Sequence, residues 1–163
     1  MKPCRKAYGY FIRPALRGKA ELLVFTAPDS SLRFPGGTVE EDEDLIAGLT
    51  RELREETGIE AFKILRELGS HRYYKPDVQK YVERHDYLLQ ALTDSPDAFS
   101  FTVQSHDKDS GMVFPYHWIT TDHIPQLDWE FKPYITPEYI PEIFSPLNHG
   151  DKNVRTQPAN AIT

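Results

Sequence analysis

The sequence predicts a mixed α/β sandwich, and three observations carry that prediction. Short apolar runs rich in aromatic and branched residues recur along the chain, separated by turn residues. One stretch after Gly37 has the helical rather than the alternating period. A short segment from Pro137 also suits a helix, so the order is strands, helix, strands, terminal helix.

In chain order, "YGYFIR" (Tyr8 to Arg13) and "ELLVFT" (Glu21 to Thr26) read as strands, with "PALRGK" as the hairpin between them. "APDSSLRFPGG" is dense in turn residues, so a loop is expected from Ala27 into Gly37. The helical stretch follows. "FKILRELGSHRYY" and "KYVERHDYLLQAL" then flank "KPDVQ", whose Pro76-Asp77 is a turn signal, and together predict a long hairpin. "DSPDAFS" and the segment from Asp107 to Gly111 read as loops. "MVFPYHWI" is a further strand, placed at an edge or a bulge by Pro115. "PEYIPEIF" supplies the terminal helix. The chain thus divides into one domain over residues 1–147 and a polar, patternless tail over 148–163, expected to be disordered.

Composition limits the function. With 163 residues, 39% hydrophobic and 27% charged, the chain can bury a real core. A net charge of −6 argues against broad affinity for membranes or long nucleic acids, whose partners are normally basic. The charge is uneven, because Lys2, Arg5, Lys6, Arg13, Arg17 and Lys19 precede the first acid, Glu21. One cysteine, Cys4, excludes an internal disulfide and fits a reducing compartment. No secretory signal is recognisable and no apolar run approaches the roughly 20 residues of a membrane span, so a cytoplasmic location is expected.

The stretch "GTVEEDEDLIAGLTRELREETGI" holds eight carboxylates between Gly37 and Ile59. On a helix, Leu45, Ile46, Leu49 and Leu53 gather on one stripe that would lie on the sheet. Glu52, Glu55 and Glu56, at i, i+3 and i+4, form a second stripe directly beside it. A merely solvated face would put them opposite the core. Like charges at this spacing repel, and a divalent cation would turn that repulsion into a ligand set. Glu40, Glu41, Asp42 and Asp44 suit the positive end of the helix dipole, and Gly58 suits its left-handed C-terminal position. Gly48, costly inside a helix, reads equally as a tolerated surface glycine or as room for a neighbouring chain. Arg51 can pair with Glu55 one turn on.

Gly37, Glu43, Arg51, Glu52, Leu53, Glu55, Glu56, Gly58 and Ile59 match without departure the Nudix box: Gly, five residues, Glu, seven residues, then Arg-Glu-apolar-any-Glu-Glu-any-Gly-apolar. The chain therefore resembles the Nudix hydrolases. The resemblance implies an α/β/α sandwich with a mixed β-sheet and the box helix packed on it. It implies a pyrophosphohydrolase that cleaves a nucleoside diphosphate linked to another moiety by attack of water on phosphorus, with Mg²⁺ or Mn²⁺. Carried over by position, Glu52, Glu55 and Glu56 are metal ligands, with Glu52 the base in some members. The Gly36 carbonyl supplies a further oxygen, and Glu43 and Arg51 support the helix. The base can also come from a later carboxylate, for which Glu83, Asp107 and Asp109 are candidates, and Asp109 or Glu83 could add a metal ligand. Asp107 and Asp109 read more readily as ordinary turn residues.

Substrate contacts stay open at this stage. Arg72, Lys75, Lys80 and Arg84 on the hairpin, with Arg13 and Arg33, either meet phosphates or decorate the surface. Tyr73, Tyr74, Trp118, Trp129 and Phe131 either stack a base or belong to the core. Markers for ADP-ribose or dinucleoside polyphosphates are ambiguous, since Tyr73, Tyr74 and Pro76 fall together. The expected partner is a small nucleotide, on a monomer or homodimer; RNA decapping is a variant of this reading. Two alternatives use the same scaffold: a catalytically silent nucleotide-binding or sensing module, and a diphosphate isomerase.

Overall fold

The computed structural model describes residues 2–15 and 18–146; the tail expected over 148–163 lies outside them. Eight strands and one α-helix appear in the order β1 (Cys4–Arg13), β2 (Glu21–Thr26), β3 (Leu32–Arg33), β4 (Gly36–Val39), α1 (Leu45–Thr57), β5 (Phe62–Lys75), β6 (Lys80–Ala91), β7 (Ala98–Thr102) and β8 (Val113–Ile119). The main path of the mixed sheet runs β5-β6-β1-β2-β8-β7.

Strand β1 is the hub. It pairs in parallel with β6 from Cys4 to Phe11. Along its other edge it pairs first with β4, over Arg5 to Tyr8, and then with β2, at Ile12 and Arg13. Between the two partners the Gly9 N–H donates to the Pro35 carbonyl. This exchange of partners holds β4 beside α1.

Alternation along the central strands makes two cores. Tyr10, Leu22, Val24 and Leu88 face one side with Phe131, Tyr134, Ile140 and Ile143. Phe11, Leu23, Phe25 and Leu89 face the other with Leu49 and Leu53 of α1. The sheet is thus covered on both faces, as the α/β/α expectation requires.

Several local expectations change. The loop expected from Ala27 into Gly37 contains β3 and β4, too short for a sequence pattern to reveal. "DSPDAFS" enters β7 at Ala98, where Phe99 and Phe101 alternate with more exposed residues. Pro115 is not on an edge strand, because β8 lies between β2 and β7. Its ladder to β2 ends at Tyr116, so position 115 is paired on one side only and the missing N–H is tolerated. The C-terminal covering layer is not an α-helix but three 3₁₀ turns, Thr121–Gln126, Trp129–Phe131 and Pro141–Ile143. Pro125, Pro137 and Pro141 each remove a helix donor there. No helix of the described residues is long and apolar enough to cross a membrane.

Candidate active site

Helix α1 is closed at both ends by chemistry visible in its sequence. The Asp44 carboxylate accepts from the N–H groups of Ile46 and Ala47. Gly58 ends the helix with φ 76°, its N–H donating to the Arg54 carbonyl. The next two carbonyls are also satisfied: Glu55's accepts from the Gln104 N–H at 2.9 Å, and Glu56's from the Tyr116 hydroxyl at 3.0 Å. Of the four residues expected on the core stripe, Leu49 and Leu53 are fully buried while Ile46 is 36% exposed. The stripe is narrower than the sequence suggested.

Two of the three box glutamates, Glu52 and Glu56, meet β4 at the edge of that stripe. Glu52 and Glu56 are 4% and 8% exposed. A Cβ at Gly37 would stand 2.6 Å from Glu52 Oε2, so glycine there is what admits the carboxylate. Gly36, at φ 146°, has its Cβ position blocked by the Ala7 carbonyl and by Tyr8, and its N–H donates to Glu56 Oε1 at 3.2 Å. Gly48 is buried, and a Cβ there would meet Glu43 and Val39 at 2.9 Å. Of its two readings, room for a neighbouring chain is the one that fits.

Arg51 organises the carboxylates. Its Nε and Nη2 donate to the two oxygens of Glu43, at 2.8 and 2.9 Å, and Nη2 also donates to the Thr38 carbonyl at 3.0 Å. Its Nη1 lies between Glu52 Oε1 at 3.3 Å and Glu55 Oε1 at 3.2 Å. The hydrogen bonds from Arg51 hold the Glu43 carboxyl down at about 2. Burial pushes Glu52 up to about 7 against the pull of Arg51, and the charge of Glu55 adds to the rise. Burial, then the charge of Glu52, raises Glu56 well above the carboxylate range, although the Gly36 N–H opposes the rise. Arg5, which no motif marks, donates through Nη2 to the carbonyls of Glu40, Glu41 and Glu43 at 2.7, 3.2 and 2.9 Å and pins the acidic loop. Backbone acceptors leave no pattern in a sequence that could have flagged it.

The other candidates separate. Asp107 and Asp109 lie on the β7–β8 loop, and their charges reach Glu52 and Glu56 respectively. Glu83 is engaged elsewhere, accepting from Arg72 at 3.1 Å and bonded to His85 at 2.8 Å. Arg13 is at the far end of β1, paired with Glu21 and Asp97 and stacked on Trp118. Arg33 pairs with Asp29 and Asp128. Lys75 reaches Glu130 at 3.6 Å. Arg84 is fully buried and so does not decorate the hairpin surface.

Among the described residues no three acidic, histidine or cysteine side chains converge as a ready-made cation cage. Between Glu52 and Glu55 a guanidinium nitrogen already bridges the carboxylates. The donor set nevertheless suits a hard divalent cation: it is all oxygen, partly buried, and more negative than one arginine offsets.

A NUDIX domain model matches residues 12–139. No curated protein matches the chain. Its fold is similar to that of a NUDIX hydrolase from Nitrosomonas europaea, at 19% identity over 88% of this chain and 87% of that one, with a TM-score of 0.57. An Ap4A hydrolase from C. elegans is similar at 25% identity over 79% and 89%, with a TM-score of 0.54. An ADP-ribose pyrophosphatase from Streptococcus suis is similar at 15% identity over 87% and 90%, with a TM-score of 0.54.

Proposed function

The chain belongs to the Nudix family of hydrolases acting on acid anhydrides, and from that premise we propose that it is a pyrophosphohydrolase dependent on Mg²⁺ or Mn²⁺ that cleaves a nucleoside diphosphate linked to another moiety. The observation that carries this reading is the pair of buried carboxylates, Glu52 and Glu56, fitted against glycines 36 and 37 with Glu55 at their side.

Glu52, Glu55, Glu56 and the Gly36 carbonyl would hold the cation. Bound there, it would neutralise charge on the diphosphate and acidify a water. Glu43 and Arg51 fix the rotamers of Glu52 and Glu55, so the carboxylates need little reorganisation when substrate arrives. The lack of a side chain at Gly37 is what lets the Glu52 carboxylate lie against β4. Water would attack one phosphorus in line while the bond from that phosphorus to the bridging anhydride oxygen breaks. The bridging oxygen would leave with the other phosphate, and the proton of the water would pass to a carboxylate. Asp107 and Asp109 suit that role better than Glu83, because their charges are felt at the glutamates while Glu83 is held by Arg72 and His85. No covalent protein nucleophile is needed.

The test is a panel of nucleoside diphosphate derivatives and capped RNA, incubated with Mg²⁺ or Mn²⁺ and resolved by chromatography, with Glu55→Gln as the blank. Cleavage at the anhydride by wild type alone is the expected result. Failure to cleave any member, at protein and metal concentrations where the fold is intact, would favour a silent nucleotide-binding module.

A further inference from the structure

On the sheet face opposite α1, the turn Trp129–Phe131 and strand β5 meet beside a buried guanidinium. Arg84 is 0% exposed, and its guanidinium carbon lies 4.3 Å from the ring centroids of both Tyr8 and Phe131. Its Nε and Nη2 donate to Asp86, which also accepts from the Tyr10 hydroxyl at 2.6 Å. Its Nη1 makes no hydrogen bond; Glu130 Oε2 stands 3.8 Å away. A buried charged donor without an acceptor is destabilising, so a purely structural role would be poorly served by this arrangement.

Glu130 accepts one hydrogen bond, from the Tyr73 hydroxyl to Oε2 at 2.9 Å, and has the Lys75 ammonium 3.6 Å from Oε1. Arg84, Tyr73 and Lys75 therefore hold this carboxylate in place while leaving most of its acceptor capacity free. Beside it in sequence, Trp129 is 70% exposed, set edge-on to Tyr73 at 6.3 Å. The place is connected to the hydrolytic carboxylates. Tyr8, whose ring covers Arg84, abuts Gly36, and the Gly36 N–H donates to Glu56.

We propose that Trp129, Glu130 and Lys75 form a guanine-recognition site that selects a guanosine nucleotide for the proposed reaction. A fixed carboxylate pairs best with two adjacent, parallel N–H donors. Among the common bases guanine offers them, at N1 and the exocyclic N2. Adenine and cytosine set a ring-nitrogen lone pair beside their amine, and uracil flanks its N–H with carbonyls; each would turn an acceptor toward Glu130. The carbonyl next to guanine N1 faces a donor in the Lys75 ammonium. The exposed Trp129 ring is a stacking platform for the base. Arg84 and Tyr73 are positioning residues that act through Glu130.

The inference rests on the hydrolase reading for the fate of the bound nucleotide, but its test does not need turnover. GMP and AMP are titrated calorimetrically into the protein in a metal-free buffer containing EDTA, with tryptophan quenching read in parallel. GMP should bind at least tenfold more tightly than AMP. In Glu130→Gln, whose melting point checks the fold, the preference should fall to within twofold, because the amide turns a donor toward the base. Lys75→Met should weaken GMP about tenfold and leave AMP unchanged. Trp129→Phe should remove most of the quenching and weaken both nucleotides. Equal affinity of wild type for GMP and AMP, no binding of either, or a preference that survives in both Glu130→Gln and Lys75→Met would overturn the site. Selective GMP binding by a protein that hydrolyses no guanosine diphosphate derivative would sink the hydrolase reading and leave the site standing.

Discussion

At the scale of single residues, the box contains two kinds of information, and only one can be read without coordinates. That Glu52, Glu55 and Glu56 share one edge of the helix follows from their spacing. The need for glycine at position 37 does not, because it depends on β4 lying so close to the helix that a Cβ there would stand 2.6 Å from Glu52 Oε2. Gly37→Ala should therefore displace Glu52 and lower kcat by about tenfold or more, a loss typical of ångström-scale misplacement, while the melting temperature moves little. A large loss of stability with kcat unchanged in the surviving fold would mean that the methyl displaces β4 instead. Glu43 gives a second residue-level prediction. Its folded-state pKa of about 2 lies below the ordinary 4.5, chiefly through its hydrogen bonds to Arg51. As pH falls the unfolded chain binds the proton first, so the Glu43–Arg51 contribution is complete above about pH 4.5 and disappears as pH drops through about 2. Wild type and Glu43→Gln, melted across that window, should differ by about 1–2 kcal/mol at pH 6 and converge near pH 2. A difference independent of pH would assign the effect to packing. The fully buried Arg84 was the least readable residue: between polar neighbours on a hairpin strand, it carries no mark separating it from the exposed Arg72.

At the scale of elements, legibility follows length and period. The 13 residues of α1 and the two arms of the β5–β6 hairpin carry enough repeats to declare themselves. The two residues of β3 carry none, and the 3₁₀ turns are set by prolines and by packing on the sheet rather than by a pattern. The end of α1 shows how local and long-range signals combine. Gly58 is legible as a left-handed cap, but its fit against Phe101 of β7 is not: a Cβ there would stand 2.6 Å from the ring. Gly58→Ala should therefore cost more than the roughly 1 kcal/mol of left-handed strain, about 2 kcal/mol in all. Asp44→Ala at the other end should cost about 1 kcal/mol. Denaturant melts of the two variants decide the order; equal losses would show that Phe101 yields freely to the new methyl group.

At the scale of the whole molecule, the same fold that packs well must keep like charges together at the edge of its core. Two cores grip the central strands from opposite sides, and β1, by exchanging β4 for β2, brings glycines 36 and 37 against the helix that carries the glutamates. Burial raises Glu52 and Glu56, so the metal-free fold carries an electrostatic cost at this edge that Arg51 only partly offsets. A cation bound only by the native state should then stabilise the molecule as a whole, by about 2.7 kcal/mol at a hundredfold excess over its Kd. In a chain of this size that is a rise in Tm of about 5–10 °C. Glu56→Gln keeps an acceptor for the Gly36 N–H but removes a buried ionisable group. Without metal it should melt at or above the wild-type temperature, and millimolar Mg²⁺ should shift it little. Thermal melts of both proteins with and without Mg²⁺ decide the matter. A wild type indifferent to metal would remove the ligand set, whereas a variant that melts lower without metal yet still responds to it would move the binding role from Glu56 to its neighbours.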